Sequence, residues 1–430
     1  MKDRWKKLVE NSFAKKSIWV LFLRIMGVGL LFGITLFITN VFDASFVGEY
    51  DLARSVLFIL GSAALLGFNQ AIIYYAGYLK AHKSSDQLWG IYLKMVGFSL
   101  GIAVLLCLIC WMVPTYWIDY FFDKPIYPLI FKTTATAFFY SLTMLNIDTL
   151  RGLGIIIASE VFRNIFRHLF FGILVVSLYY YNAFQWLADM FLVSFLLLAF
   201  ISTVYLLFRF RKEAKSSIPT FSLKTILKTA YPMSISAMAF FLLQSIDLLL
   251  IGKFMELKYV AFYAVALKIA MIISILLASV NAVFAPKISE LYASKKVEEL
   301  SLQIKKVTRM TVVFTAPLIV LVVLFSRTVL SFFGEGYTVA KTALLILLAG
   351  QTVNVLCGSM GTYMDMTGYQ NVFQKILLLA LGVNIALNWF MIPIYGLVGA
   401  AIATAVSTIT WNILGTVYVY NKRGIKTFLH

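Results

Sequence analysis

Charge is scarce in this chain. Asp, Glu, Lys and Arg make up 13% of its 430 residues, about half the share usual in a soluble domain. Apolar residues reach 61%, more than a soluble globular fold can hide from water. Period-two alternation is missing as well: the apolar stretches are long and continuous, which disfavours a transmembrane barrel. Cysteine is limited to Cys107, Cys110 and Cys357, all inside apolar stretches. The single C-x-x-C has no second pair and no nearby histidine, so these read as inert thiols. The connections lack a Walker A motif, HExxH, GxSxG and paired catalytic carboxylates, which leaves an enzyme or an ATP-driven pump unsupported. The basic start runs into an apolar stretch too long for a cleavable signal, with no A-x-A site.

What is present fits an all-α polytopic membrane protein. Apolar helices are expected at 17–41, 53–78, 88–113, 126–147, 160–181, 186–208, 229–251, 259–284, 308–332, 340–364, 372–392 and 397–419, each of about the twenty residues that a bilayer requires. A twelve-residue turn from Pro114 to Pro125 carries Tyr116, Trp117 and Tyr120, suited to an interfacial aromatic belt. The net charge of +18 would point to nucleic acid in a soluble protein, but here the basic residues fall in alternate connections. Taking the N-terminus as cytoplasmic puts most of the 37 basic residues inside. That pattern predicts an even count, twelve transmembrane helices, N-in and C-in. The segment 287–306 is amphipathic and basic and is expected to lie on the inner membrane surface.

The two halves look related. A shift of 213 residues lays VGEYDLARSVLFI (47–59) over VAFYAVALKIAMI (260–272), so that Tyr50 meets Tyr263 and Ala53 meets Ala266. This predicts two parallel six-helix lobes, 1–215 and 216–430, with a substrate path between them.

Ionisable residues inside spans are costly, at least about 2.5 kcal/mol at the bilayer centre, and are functional candidates by default. Arg24 lies in the first expected span, Arg54 at the end of the second, Lys132 in the fourth and Lys268 in the eighth. Snorkelling to a headgroup is the competing reading for each. Several cations converging on a cleft would attract a large anion such as a diphosphate headgroup. Asp247 in the seventh span, Asn384 and Asn388 at i,i+4 in the eleventh and Thr404 in the twelfth form a candidate all-oxygen site for a small cation. The alternative there is hydrogen bonding that joins helices. GLVGAAIATA (396–405) offers small residues for close helix packing.

IDLLLIGKF (246–254), FYAVALKIA (262–270), APKISELYASKK (285–296), FFGEGYTVAKTALLILLAG (332–350) and NIALNWFMIPIYGLVGAAIATAVS (384–407) carry a family resemblance, with VGEYDLARS (47–55) and LGFNQAIIYYAG (66–77) in the first half. In their order and spacing the chain resembles the multidrug/oligosaccharidyl-lipid/polysaccharide (MOP) exporter superfamily, and in particular its polysaccharide-transporter branch, the O-antigen-type flippases. The resemblance implies a MATE-like fold, a cationic cavity and alternating access. The implied substrate is a polyprenyl-diphosphate-linked oligosaccharide, and the implied place is the inner, cytoplasmic membrane. Polymerase or glycosyltransferases of the same pathway would be partners, and nucleic acid would not. Related peptidoglycan-precursor flippases have cavity arginines on their first, second and eighth helices, positions similar to Arg24, Arg54 and Lys268. They also hold sodium among the seventh, eleventh and twelfth helices, an arrangement that Asp247, Asn384, Asn388 and Thr404 resemble, so Na+ or H+ is the implied coupling ion. Those relatives usually have fourteen spans, more than this chain can hold. The competing transport reading is a multidrug/cation antiporter of the MATE branch, which tends to carry an acidic residue where this chain has Arg24. A membrane-embedded glycosyltransferase or polymerase would want a large outside loop with a base or metal-binding carboxylates.

Overall fold

A computed structural model describes residues 12–81, 87–210 and 221–429. All regular structure among the described residues is helical. Among the described residues nine helices are long and apolar enough to cross a membrane, or ten if one bent pair counts as a span. The chain is a multi-pass α-helical membrane protein, and it divides into two compact units, Met1–Phe241 and Leu242–His430. The division falls inside a helix; the boundary at 215/216 expected from sequence lies outside the described residues.

The first unit begins with α1 (Ser12–Val41), followed by α2 (Ala44–Leu65) and α3 (Phe68–Ala81). Asp43 caps α2 by accepting a hydrogen bond from the Ser45 amide at 2.8 Å, satisfying one of the free N–H groups of the first turn. The single helix expected at 53–78 is instead this pair, bent by 41°. The bend sits where Leu66 and Gly67 take positive φ, 46° and 71°, a conformation that glycine tolerates best. A Cβ on Gly67 would lie 2.7 Å from the Ala230 carbonyl oxygen, so no other side chain fits. Next come α4 (Leu88–Met112), a short α5 (Thr115–Phe122) and α6 (Tyr127–Gly152). The stretch expected as a turn is thus partly helical, held by the Asp119 carboxylate, which accepts from the Ile126 and Tyr127 amides at 2.8 and 2.9 Å. Its Tyr116, Trp117 and Tyr120 are 62–69% exposed, in keeping with an interfacial belt. The fifth expected span is composite: α7 (Ile156–Val161), a π-helical turn over Phe162–Phe166, and α8 (Arg167–Tyr180). α9 (Leu187–Phe210) follows, and α10 (Leu223–Phe254) crosses into the second unit. Polar side chains join these helices. Tyr92 donates to Asn146 Oδ1 at 2.6 Å, and Asn146 donates to Ser202 and Thr203 at 3.0 and 2.8 Å.

In the second unit α11 (Leu257–Ala293) and α12 (Val297–Leu324) are long and nearly abut. The expected surface helix over 287–306 does not exist as one element. Its first part is the end of α11, its last part the start of α12, and the chain turns at Lys295, where φ is 56°. Amphipathic periodicity there reflects burial of Ile288, Leu291, Leu300 and Ile304 in a cluster with Met360, Tyr363 and Val419. The rest is α13 (Ser326–Ser331), α14 (Lys341–Cys357), α15 (Met360–Met366), α16 (Gln370–Tyr395) and α17 (Leu397–Arg423). At Gly399 a Cβ would lie 2.3 Å from the Met391 carbonyl oxygen, so this glycine permits close contact at the α16–α17 turn.

The repeat extends to the helix ends. Shifting by 213 residues carries Val41, the end of α1, onto Phe254, the end of α10. The same shift carries Ala44, the start of α2, onto Leu257, the start of α11.

Candidate functional site

In the first unit the polar residues of α7, the π-turn and α8 recur with helical period: Glu160, Arg163, Asn164 and Arg167. Spacings of three, four and seven keep them on one side of a helix, and π-turns of this kind recur at functional sites. Arg24 meets Glu160 through two hydrogen bonds, Nε to Oε2 at 3.1 Å and Nη2 to Oε1 at 3.0 Å. Glu160 is buried, with 1% of its side chain exposed against 35% for Arg24, and it also accepts from Asn164 Nδ2 at 2.9 Å. Gly27 permits the approach, because a Cβ there would lie 2.7 Å from Asn164 Cβ. The expected cation on the first helix is therefore an ion pair, because a buried carboxylate faces it.

Two more arginines of this group, Arg54 and Arg163, are arranged in the same manner, and Arg167 is not. Arg54 on α2 lies 3.5 Å from Asp51 one turn earlier and 5.9 Å from the Phe58 ring centroid. Arg163 is paired with the buried Asp148. Arg167 has no ion pair with a carboxylate among the described residues. Its guanidinium stands 4.9 Å from the Phe58 centroid and 5.7 Å from that of Phe195, a cation–π arrangement that holds charge among apolar groups. Four arginines against Asp51, Asp148 and Glu160 leave one positive charge in excess. Lys132 does not join them; it is a half-exposed side chain paired with Asp189 at 2.7 Å and set over Trp186. That makes it half of a pair between the beginnings of α6 and α9.

In the second unit Asp247 on α10 is fully buried. It accepts from Asn388 Nδ2 at 2.7 Å, from Tyr263 Oη at 3.2 Å and from Thr404 Oγ1. Asn384, Asn388 and Thr404, expected together from sequence, lie together here. Asn388 Nδ2 also lies 3.0 Å from the Asn384 carbonyl oxygen and 3.1 Å from Asn384 Oδ1. Three oxygens thus converge on an amide with two hydrogens, while Asn388 Oδ1 is buried with no partner. No lysine or arginine among the described residues pairs with Asp247. A buried carboxylate without a counter-charge and an orphaned amide oxygen are the donor set of a small hard cation, which takes oxygen ligands. Lys268, on α11, is buried at 4% exposure.

Sequence reasoning did not single out Glu160, Arg163 and Arg167, which crowd the beginning of the expected span 160–181. Their period of three and four was the available signal. Tyr263 was also missed, although the repeat had matched it with Tyr50.

A family model described as polysaccharide biosynthesis protein matches residues 13–292, and one described as MatE matches 232–390. Among curated proteins, the chain is 31% identical over 162 residues to an uncharacterized membrane protein of Methanocaldococcus jannaschii, covering 37% of this chain and 32% of that one. It is 25% identical over 185 residues to the probable low-salt glycan biosynthesis flippase Agl15 of Haloferax volcanii, covering 42% and 38%. With the putative O-antigen transporter of Shigella flexneri it shares 27% over 165 residues, covering 38% and 39%. The matched stretches span between 32% and 39% of those relatives' lengths. Among solved structures, the lipid II flippase MurJ in an inward closed conformation aligns with a TM-score of 0.73 at 16% identity, over 94% of this chain and 87% of that one. A multidrug resistance MATE family transporter of the MOP superfamily, inward-facing, aligns with a TM-score of 0.69 at 16% identity, over 95% and 98%. Those likenesses establish the fold. The chain belongs to the polysaccharide biosynthesis protein family, whose model matches more than half of it.

Proposed function

We propose that this chain is a flippase that moves a polyprenyl-diphosphate-linked oligosaccharide from the cytoplasmic to the outer leaflet of the cytoplasmic membrane, by alternating access, for cell-surface polysaccharide synthesis. The observation that carries the reading is the arginine group of the first unit, above all Arg167, which has no carboxylate paired with it among the described residues. Guanidinium groups bind phosphate oxygens in bidentate fashion. In this scheme Arg167 and Arg54 meet the diphosphate first, and Arg24 exchanges the Glu160 carboxylate for a phosphate. The multidrug antiporter reading is less favoured, because an excess of positive charge repels cationic drugs.

Sodium is the proposed coupling ion. Asp247, Asn384, Asn388, Thr404 and Tyr263 would hold it, and turning the Asn388 amide would bring its orphaned oxygen onto the ion. The ion would supply the missing counter-charge to Asp247. Glycosyltransferases or a polymerase acting on the same lipid-linked saccharide are the proposed partners.

The direct test is reconstitution with a lipid-linked oligosaccharide, scoring its appearance on the far leaflet with an impermeant glycan probe. Arg167→Gln should slow translocation by about tenfold to a hundredfold, the value of one hydrogen bond to a charged group. An unchanged rate would remove the arginines from the scheme. The proposed layout of twelve spans with both ends inside has a separate check. Reporters fused at the turn before Ala44 and after the C-terminal residue should lie on opposite faces of the membrane, and finding them on the same face would overturn the layout.

A further inference from the structure

One face of α12 changes chemistry partway along its length. Lys305, Lys306 and Arg309 are followed on the same face by Met310, Val313 and Phe314, with Leu302 one turn before them. Spacings of three, four and seven keep these side chains together, and they line an open groove of about 710 Å3. Its apolar members are uncovered: Leu302 is 68% exposed, Val313 67% and Phe314 63%. The lysines also differ from others of the unit. Lys287 and Lys296 each hold a glutamate three residues on, at 3.0 and 3.2 Å. Lys305 and Lys306 have no ion pair among the described residues.

We propose that this groove is a binding site for an anionic phospholipid of the surrounding bilayer. The phosphate would be held by Lys305, Lys306 and Arg309, and an acyl chain would lie along Met310, Val313 and Phe314. From Arg309 to Phe314 is five residues, roughly 7.5 Å along a helix, the step from a headgroup to the first methylenes. Free phosphate would leave the apolar stripe unmatched, and a zwitterionic lipid would leave Lys305 and Lys306 without net compensation. Clustered basic residues at the headgroup level attract anionic lipid by about fivefold per cation, from about 1 kcal/mol each. The site is independent of the transported substrate and of the arginines of the first unit.

The test is native mass spectrometry of the whole chain released from nanodiscs of phosphatidylcholine and phosphatidylglycerol. Wild type should retain phosphatidylglycerol preferentially. Lys305→Gln with Lys306→Gln should lower that retention by more than tenfold, whereas Lys287→Gln with Lys296→Gln should leave it unchanged. Phe314→Ser should weaken retention of the lipid and not of inorganic phosphate added alone. Equal retention by the Lys305/Lys306 variant would overturn the proposal. So would displacement by inorganic phosphate, or preferential exchange of the lipid for a polyprenyl diphosphate.

Discussion

Asp247→Asn is expected to abolish the stabilisation of the protein by sodium. At a hundredfold excess of sodium over its dissociation constant, one site should raise the unfolding free energy by about 2.7 kcal/mol. The carboxylate is the only charge in the oxygen cluster, and it is fully buried. Without it, Asn384, Asn388, Thr404 and Tyr263 offer dipoles alone. Asparagine keeps the volume, so packing of α10 against α16 and α17 is preserved. The sign should reverse when sodium is replaced by choline. There the buried charge of the wild type has no counter-ion, a desolvation cost that the amide avoids, so the variant should be the more stable of the two. Thermal unfolding in detergent, with sodium, potassium or choline chloride at equal ionic strength, reads both effects. A wild type that responds equally to all three salts would eliminate the ion site and leave the cluster as interhelical hydrogen bonding.

The second large effect is expected at Arg24. Arg24→Ala strands the Glu160 carboxylate at 1% exposure with Asn164 as its remaining side-chain donor. Removing one partner of a buried pair costs about 3–5 kcal/mol, and the lower end applies because Arg24 is itself 35% exposed. Replacing both partners with leucine should bring stability back to within about 1 kcal/mol of wild type, since no uncompensated charge remains. Transport should stay low in both variants, because the guanidinium proposed to take the phosphate is gone from each. A double variant as unstable as the single one would mean that the pair is not what holds α1 against α7. The comparison matters because loss of flipping in Arg24→Ala by itself confuses substrate binding with folding.

The helices were legible where the apolar run was long, and every expected span has a helix over it. Hydropathy lost detail where polar chemistry shapes the backbone. It joined α2 to α3 across Leu66 and Gly67, because a left-handed kink hardly changes composition. It also read 287–306 as one surface helix, since apolar residues with period 3.6 mark burial against protein as well as against lipid. In the second unit the oxygen cluster could be read from i,i+4 spacing and one acidic residue. In the first unit the cations could be named but not their partners. Arg24 and Glu160 are 136 residues apart, and no local pattern announces that encounter. Lys132 misled for the same reason, because Asp189 lies on a different helix.

The duplicated frame has a chemical consequence at its matched tyrosines. Tyr50 lies one helical turn before Arg54 on α2 and interacts electrostatically with its guanidinium, and Tyr263, its counterpart under the 213-residue shift, donates to the Asp247 carboxylate. A phenol can accept from a cation or donate to an anion, so the same side chain in the same place serves either polarity.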